Sequence, residues 1–128
     1  IEESLRYNTS GQRFRRYVMK DTPMHGQTMR EGDFVCMAYG SGNRDERAFA
    51  NPDVYDITRK PRGHLGFGGG VHKCTGMNFA KNEMAVIAAL LFQQFELKLR
   101  SPEVHIVYGN GANHPSPAWV TYHRKAAV

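Results

Sequence analysis

The rhythm of apolar and polar positions divides the chain into stretches of different character. Ile1 to about Tyr7 is charged and helix-like, reading as the end of a helix, and Asn8 to Gly11 is turn-like. Arg13 to Met19 and Gln27 to Met29 are extended candidates flanking His25-Gly26. Arg30-Glu31-Gly32-Asp33 then turns the chain into Phe34-Val35-Cys36-Met37-Ala38-Tyr39, an apolar run that reads as a buried strand. From Gly40 to Gly66 the composition shifts to Gly, Asn, Asp, Pro and Arg, too polar and irregular for regular elements. So long a connection inside a compact domain usually carries function.

The strongest periodic prediction is a helix over Asn78 to Phe95. It has a polar start, Ala80, Ala85, Ala88, Ala89, Leu90 and Leu91, and no internal Gly or Pro. Between Met84 and Phe92 apolar residues surround nearly the whole circumference, the pattern of a helix buried in a larger protein. Beyond it, Glu96 to Arg100, Val104 to Tyr108 and Trp119 to His123 alternate as strands of a small terminal sheet. Gly109 to Pro117 forms the loop between the last two of these.

Charge changes this picture little. Lys and Arg number 17 against 12 Asp and Glu, and they cluster at Arg13-Arg15-Arg16, Arg59-Lys60-Arg62 and Arg124-Lys125. Aromatic interleaving of the single-strand-binding type is absent, so we expect no nucleic-acid partner. Of the two cysteines, Cys36 sits inside the apolar run and reads as a core thiol, a usage that fits a reducing, cytoplasmic compartment. The longest apolar run, Met84 to Phe92, is about half of what a bilayer crossing requires.

Chemistry concentrates in Phe67-Gly68-Gly69-Gly70-Val71-His72-Lys73-Cys74-Thr75-Gly76. A phosphate loop is disfavoured, because Lys73-Cys74 lacks the preceding glycine and the following Ser or Thr. The dinucleotide fingerprint also fails, since Val71 falls where its third glycine belongs. What remains is a thin loop delivering one cysteine to the mouth of an apolar helix, suited to a metal held by a single thiolate. Glycines leave room for a flat macrocycle, Phe67 can cover the sulfur, and Gly76 lets the chain enter the helix so that backbone N–H groups face the thiolate.

The spacing Phe67, Gly70, His72, Cys74, Gly76 resembles the haem-ligand signature of the cytochrome P-450 family, the haem-thiolate monooxygenases. Glu3-Ser4-Leu5-Arg6 is similar to the family's Glu-x-x-Arg motif. Gly42-Asn43-Arg44-Asp45, with Phe49, Asn51-Pro52-Asp53 and Tyr55-Asp56, is similar to the meander of its soluble bacterial members. The resemblance implies a mainly α fold with small β-sheets (α+β). In it a ligand loop is followed by a long buried helix and a terminal β-hairpin.

Several expectations come with the resemblance. Residues 1–128 would be the C-terminal part of a single larger haem-binding domain, with the upstream portion, including the oxygen-activating distal residues, absent. No catalytic residue is therefore expected in this chain. Haem b would be the cofactor, with Cys74 as fifth iron ligand and His72 and Arg16 on its propionates; Arg15 is the alternative, and only one of these neighbours can reach the haem. Glu3 and Arg6 would form a buried structural pair. Val54 occupies the place where many members carry a third arginine, which leaves Arg59 or Arg44 as substitutes. The implied partners are a ferredoxin- or flavodoxin-type electron donor, drawn to positive charge such as Lys73 and Arg62, a small hydrophobic organic substrate, and the complementary N-terminal segment. The strand after Arg13 and the loop Gly111 to His114 are candidates to touch the substrate pocket. Two other accounts are a peroxide-driven relative and a fragment without stable haem or catalysis.

Overall fold

A computed structural model describes residues 1–100, 103–109 and 112–126. Helix α1 (Glu2–Tyr7) opens the chain and ends where Thr9 takes over its last carbonyls, its hydroxyl donating to Leu5 O at 3.1 Å and Arg6 O at 3.0 Å. Strand β1 (Phe14–Tyr17) pairs antiparallel with β4 (Phe34–Met37), placing Arg15 opposite Cys36 and Arg16 opposite Val35. Between them β2 (Thr22–Met24) and β3 (Gln27–Met29) form a hairpin. Its turn residues His25 and Gly26 have φ of 47° and 78°, the pair of positive angles that a tight two-residue hairpin requires. The sequence pattern marks β3 but not its partner β2.

Two expectations for this region need correction. Cys36 is exposed, not a core thiol. The β1–β4 ribbon has only two strands, and the described residues supply no layer to bury its apolar side chains; Phe34 is 70% exposed. Tyr39, read as the end of that strand, instead begins the short helix α2 (Tyr39–Gly42). The region 40–66 is therefore not wholly irregular, although turns make up the rest of it.

Those turns are held by polar side chains. Glu3, Arg6, Thr9 and Asn43 are all buried, and Arg6 and Asn43 are fully so. The Arg6 guanidinium grips both Glu3 carboxylate oxygens at 2.8 and 2.7 Å. It also donates to the carbonyls of Asn43 (2.8 Å), Pro52 (2.8 Å) and Val54 (3.3 Å), which occupies its full donor fork. Asn43 Nδ2 donates to Thr9 Oγ1 at 2.6 Å, and Asn43 Oδ1 accepts the Leu65 N–H at 2.6 Å. Phe49 packs its ring 5.4 Å from the guanidinium. Among the described residues no buried side-chain nitrogen or oxygen lacks a partner.

A single 3₁₀ turn (Gly70–His72) precedes α3 (Met77–Gln94), which passes without a loop into β5 (Phe95–Leu99). The helix stops where the alternation Phe95-Glu96-Leu97-Lys98-Leu99 begins. Lys125 caps its far end, its backbone N–H donating to Gln94 O at 2.8 Å and its ammonium to Phe92 O at 2.7 Å. No residue of α3 is buried by the described residues, and Phe79, Val86 and Phe92 are mostly exposed. The all-round apolar pattern is real, but the described residues do not cover it.

At the C-terminal end β5 pairs with β8 (Val120–Arg124), and β6 (Ile106–Tyr108) pairs with β7 (Asn113–Pro115). The expected single terminal sheet is thus two separate ribbons, since part of the 109–117 connection folds back on β6. Gly111 of the proposed pocket loop lies outside the described residues. Among those described, no helix is long and apolar enough to cross a membrane.

Candidate functional site

The loop carrying Cys74 is fastened to the polar core at its near end. Leu65 N–H is held by the buried Asn43 side chain, and Gly66 N–H donates to His64 Nδ1 at 3.1 Å. With Nδ1 accepting, the His64 proton sits on Nε2, which donates to Glu2 Oε2 at 2.9 Å. Lys81 of α3 reaches the same carboxylate at 2.8 Å and, as the leading influence, lowers the Glu2 pKa. Gly68 N–H then closes on Leu65 O at 2.9 Å, and Cys74 N–H returns to Phe67 O at 2.9 Å.

Gly68 is the glycine this geometry demands. Its φ is +72°, and a Cβ there would sit 3.0 Å from the His72 carbonyl oxygen. Gly70 also has a positive φ of 58°, but a Cβ on it would meet only open space. Gly76, expected to let the chain turn into the helix, is the N-cap of α3 and has an ordinary φ of −81°. A Cβ there would touch Cys74 Sγ at 3.9 Å, an ordinary contact.

Cys74, His72, Phe67 and Arg16 line one cavity of about 390 Å³, together with Gly11, Phe14, Tyr39, Gly66 and Gly68. The thiol is exposed to it. Arg16 is half-buried and lines the cavity, whereas Arg15, its neighbour on β1, is exposed and does not. Gly70 lies instead on a second cavity of about 410 Å³, which shares the Phe67 and Gly68 walls and brings together Arg62, Lys73 and Lys81. Gly76 lines neither. A further cavity of about 650 Å³ is an apolar groove between α1 and α3 and contains none of the candidate ligands.

Glu3 and Arg6 stand apart from the cavity as the centre of the polar core. Hydrogen bonds from Arg6, opposed by burial, hold the Glu3 carboxyl down to about 2. The doubt raised by Val54 is resolved by Arg59, whose Nε approaches Glu3 Oε1 at 3.3 Å. Val54 contributes its carbonyl, which accepts from both arginines. Arg44 is engaged elsewhere, with Asp53 at 2.6 Å and its guanidinium 3.7 Å over the Tyr7 ring. Sequence reasoning missed Tyr39 as a cavity residue, because nothing in an extended pattern says that it turns inward at the start of α2.

The donor set fits a haem: one thiol, a cationic guanidinium and an imidazole at the same cavity, and a glycine wall where a side chain would intrude. Comparison with known proteins agrees. Residues 1–120 match the family model described as Cytochrome P450. The chain is 41% identical over 104 residues to cytochrome P450-terp of a Pseudomonas species, covering 81% of this chain and 23% of that protein. It is 38% identical over 120 residues to nocardicin C N-oxygenase of Nocardia uniformis subsp. tsuyamanensis, covering 91% and 30%. Among solved structures it superposes on P450BioI, bound to an acyl carrier protein carrying hexadec-9Z-enoic acid, with a TM-score of 0.88 at 36% identity, covering 95% of this chain and 32% of that one. The chain spans about a quarter to a third of these relatives. Its small antiparallel ribbons, ligand loop and long helix are those of the corresponding part of their fold, and the chain belongs to the cytochrome P450 family.

Proposed function

We propose that this chain is the haem-binding segment of a monooxygenase, with Cys74 as the thiolate ligand of a haem b iron. The observation that carries the reading is the meeting of Cys74, His72 and Arg16 at one cavity walled by Gly68 and Phe67. When bound, the haem supplies the chemistry that inserts one atom of O₂ into an organic substrate and reduces the other to water, using two electrons and two protons.

The chain's own residues hold and tune that group. Cys74 would hold the iron as its thiolate ligand and supply it with electron density from the sulfur. With the haem in place Phe67 would help to shield the sulfur, and Gly68 would leave room for the ring. Arg16 and His72 hold the propionates by charge-assisted hydrogen bonds, for which a planar guanidinium is well suited. Gly70 and Gly76 help to shape the loop. The Glu3–Arg6–Arg59 cluster stays structural, fixing the meander on which Leu65 and the ligand loop are hung.

Arg62, Lys73 and Lys81 around the second cavity make a positive surface for an acidic ferredoxin- or flavodoxin-type donor. Relatives named linalool 8-monooxygenase of Pseudomonas putida and nocardicin C N-oxygenase support oxygenation of an organic substrate, which we take to be small and hydrophobic. The cytoplasm would supply the reducing surroundings. Because α3 is uncovered, the chain by itself is expected to be inactive and to need the complementary segment of its protein.

The test is the absorption spectrum of the dithionite-reduced protein under carbon monoxide, recorded for the full-length protein and its Cys74→Ala variant. A strongly red-shifted Soret band that disappears in the variant supports thiolate ligation. Its absence from the parent protein returns Cys74 to the status of a structural thiol.

A further inference from the structure

Tyr39 is a buried aromatic residue with a polar tip at the Cys74 cavity, and no motif calls for it there. It is 7% exposed, lines the cavity, and packs its ring 5.2 Å from Phe14. Its hydroxyl accepts from Arg16 Nη2 at 3.4 Å, while Arg16 Nη1 donates to the Arg15 carbonyl at 2.9 Å. The guanidinium is thus steered from two sides, and its remaining N–H groups are left for a ligand in the cavity.

The mount of this phenol is rigid. Tyr39 is the first residue of α2, and its carbonyl accepts the Asn43 N–H at 3.0 Å. Asn43 is fully buried and bonded to Thr9, Leu65 and Arg6. On the next residue, Gly40 N–H is tied to Gln12 O at 3.0 Å. A phenol loses little rotamer freedom, so a hydroxyl carried on this frame can hold a long, otherwise mobile arginine at low entropic cost.

We propose that Tyr39 is a positioning residue that acts through Arg16, aiming its guanidinium at a carboxylate of the bound cofactor. The proposal rests on the haem-thiolate reading above and extends it to a residue outside the ligand signature. Loss of the hydroxyl frees Arg16 to turn toward solvent, and the cofactor's carboxylate loses an oriented partner while the iron–thiolate bond is unchanged.

The experiment measures haem transfer from the full-length ferric holoprotein to excess apomyoglobin, for the parent, Tyr39→Phe, Arg16→Met and the double variant. Tyr39→Phe retains the ring and its packing. We expect it to accelerate haem loss by about threefold to tenfold, the scale of one ordinary intramolecular hydrogen bond, as suits a contact 3.4 Å long. The same change in the Arg16→Met background should have no effect. An unchanged rate in Tyr39→Phe, or an equal acceleration in both backgrounds, would overturn the proposal. The reduced carbon monoxide spectrum of each variant separates this outcome from failure of the underlying reading: a red-shifted band in the parent upholds Cys74 ligation whatever the transfer rates show.

Discussion

The α1–meander region and helix α3 are built on opposite principles. Around Arg6 the chain buries charged and amide groups and satisfies them from within itself: carbonyls of residues 43, 52 and 54, the Glu3 carboxylate, Thr9 and Leu65. Along α3 it presents apolar side chains on all sides and covers none of them fully. The polar region carries its own partners, whereas the apolar helix is left uncovered by the described residues. Cys74 lies at the junction, hung from Asn43 through Leu65 on one side and leading into α3 on the other.

The contrast can be broken most forcefully at Arg6. Arg6→Ala leaves the buried Glu3 carboxylate without its main partner and several carbonyls without donors, so we expect a loss of about 3–5 kcal/mol in urea denaturation of the full-length protein. A loss below about 1 kcal/mol would mean that the network is replaceable by water. At Leu90 of α3, 49% exposed here, the prediction reverses the apparent geometry. If the remainder of the protein covers the helix, Leu90→Ala in the full-length protein costs about 2–5 kcal/mol. A change within about 0.5 kcal/mol would show that this face meets solvent.

Two smaller effects sharpen the account of the junction. Gly68→Ala combines a left-handed φ with a close approach to the His72 carbonyl, and we expect it to cost about 1–2 kcal/mol and to weaken haem retention. Gly76→Ala, with its ordinary φ, should be far milder; equal effects of the two would refute the distinction drawn between these glycines. The pH dependence is the subtlest. Glu3 has its carboxyl pKa lowered from 4.5 to about 2 by Arg6, so its contribution to stability is fully present above pH 4.5 and is lost as pH falls toward about 2. Urea midpoints measured down that range should fall less steeply in Glu3→Gln than in the parent protein.

The sequence made the ligand loop legible because its chemistry is local: residue types at fixed spacings around Cys74. Helix α3 was legible for the same reason, within a residue of its observed Met77–Gln94 span. Pairing was harder. Whether β6 pairs with β7 or joins a common sheet depends on contacts between distant residues, and the burial of Cys36 depends on a layer that the described residues do not provide. Arg59 could be named only as one of two substitutes, because the meander's path, not its spacing, brings it to Glu3. Tyr39 was hidden by its apolar neighbours, which look like a continuing strand until the chain turns into α2.

Whether this frame presents Cys74 to iron can be read from iron X-ray absorption on the full-length holoprotein and its Cys74→Ala variant. We predict one sulfur scatterer among the iron ligands of the parent protein and none in the variant. An iron coordinated only by nitrogen and oxygen in the parent, or a sulfur that persists in the variant, would contradict the account.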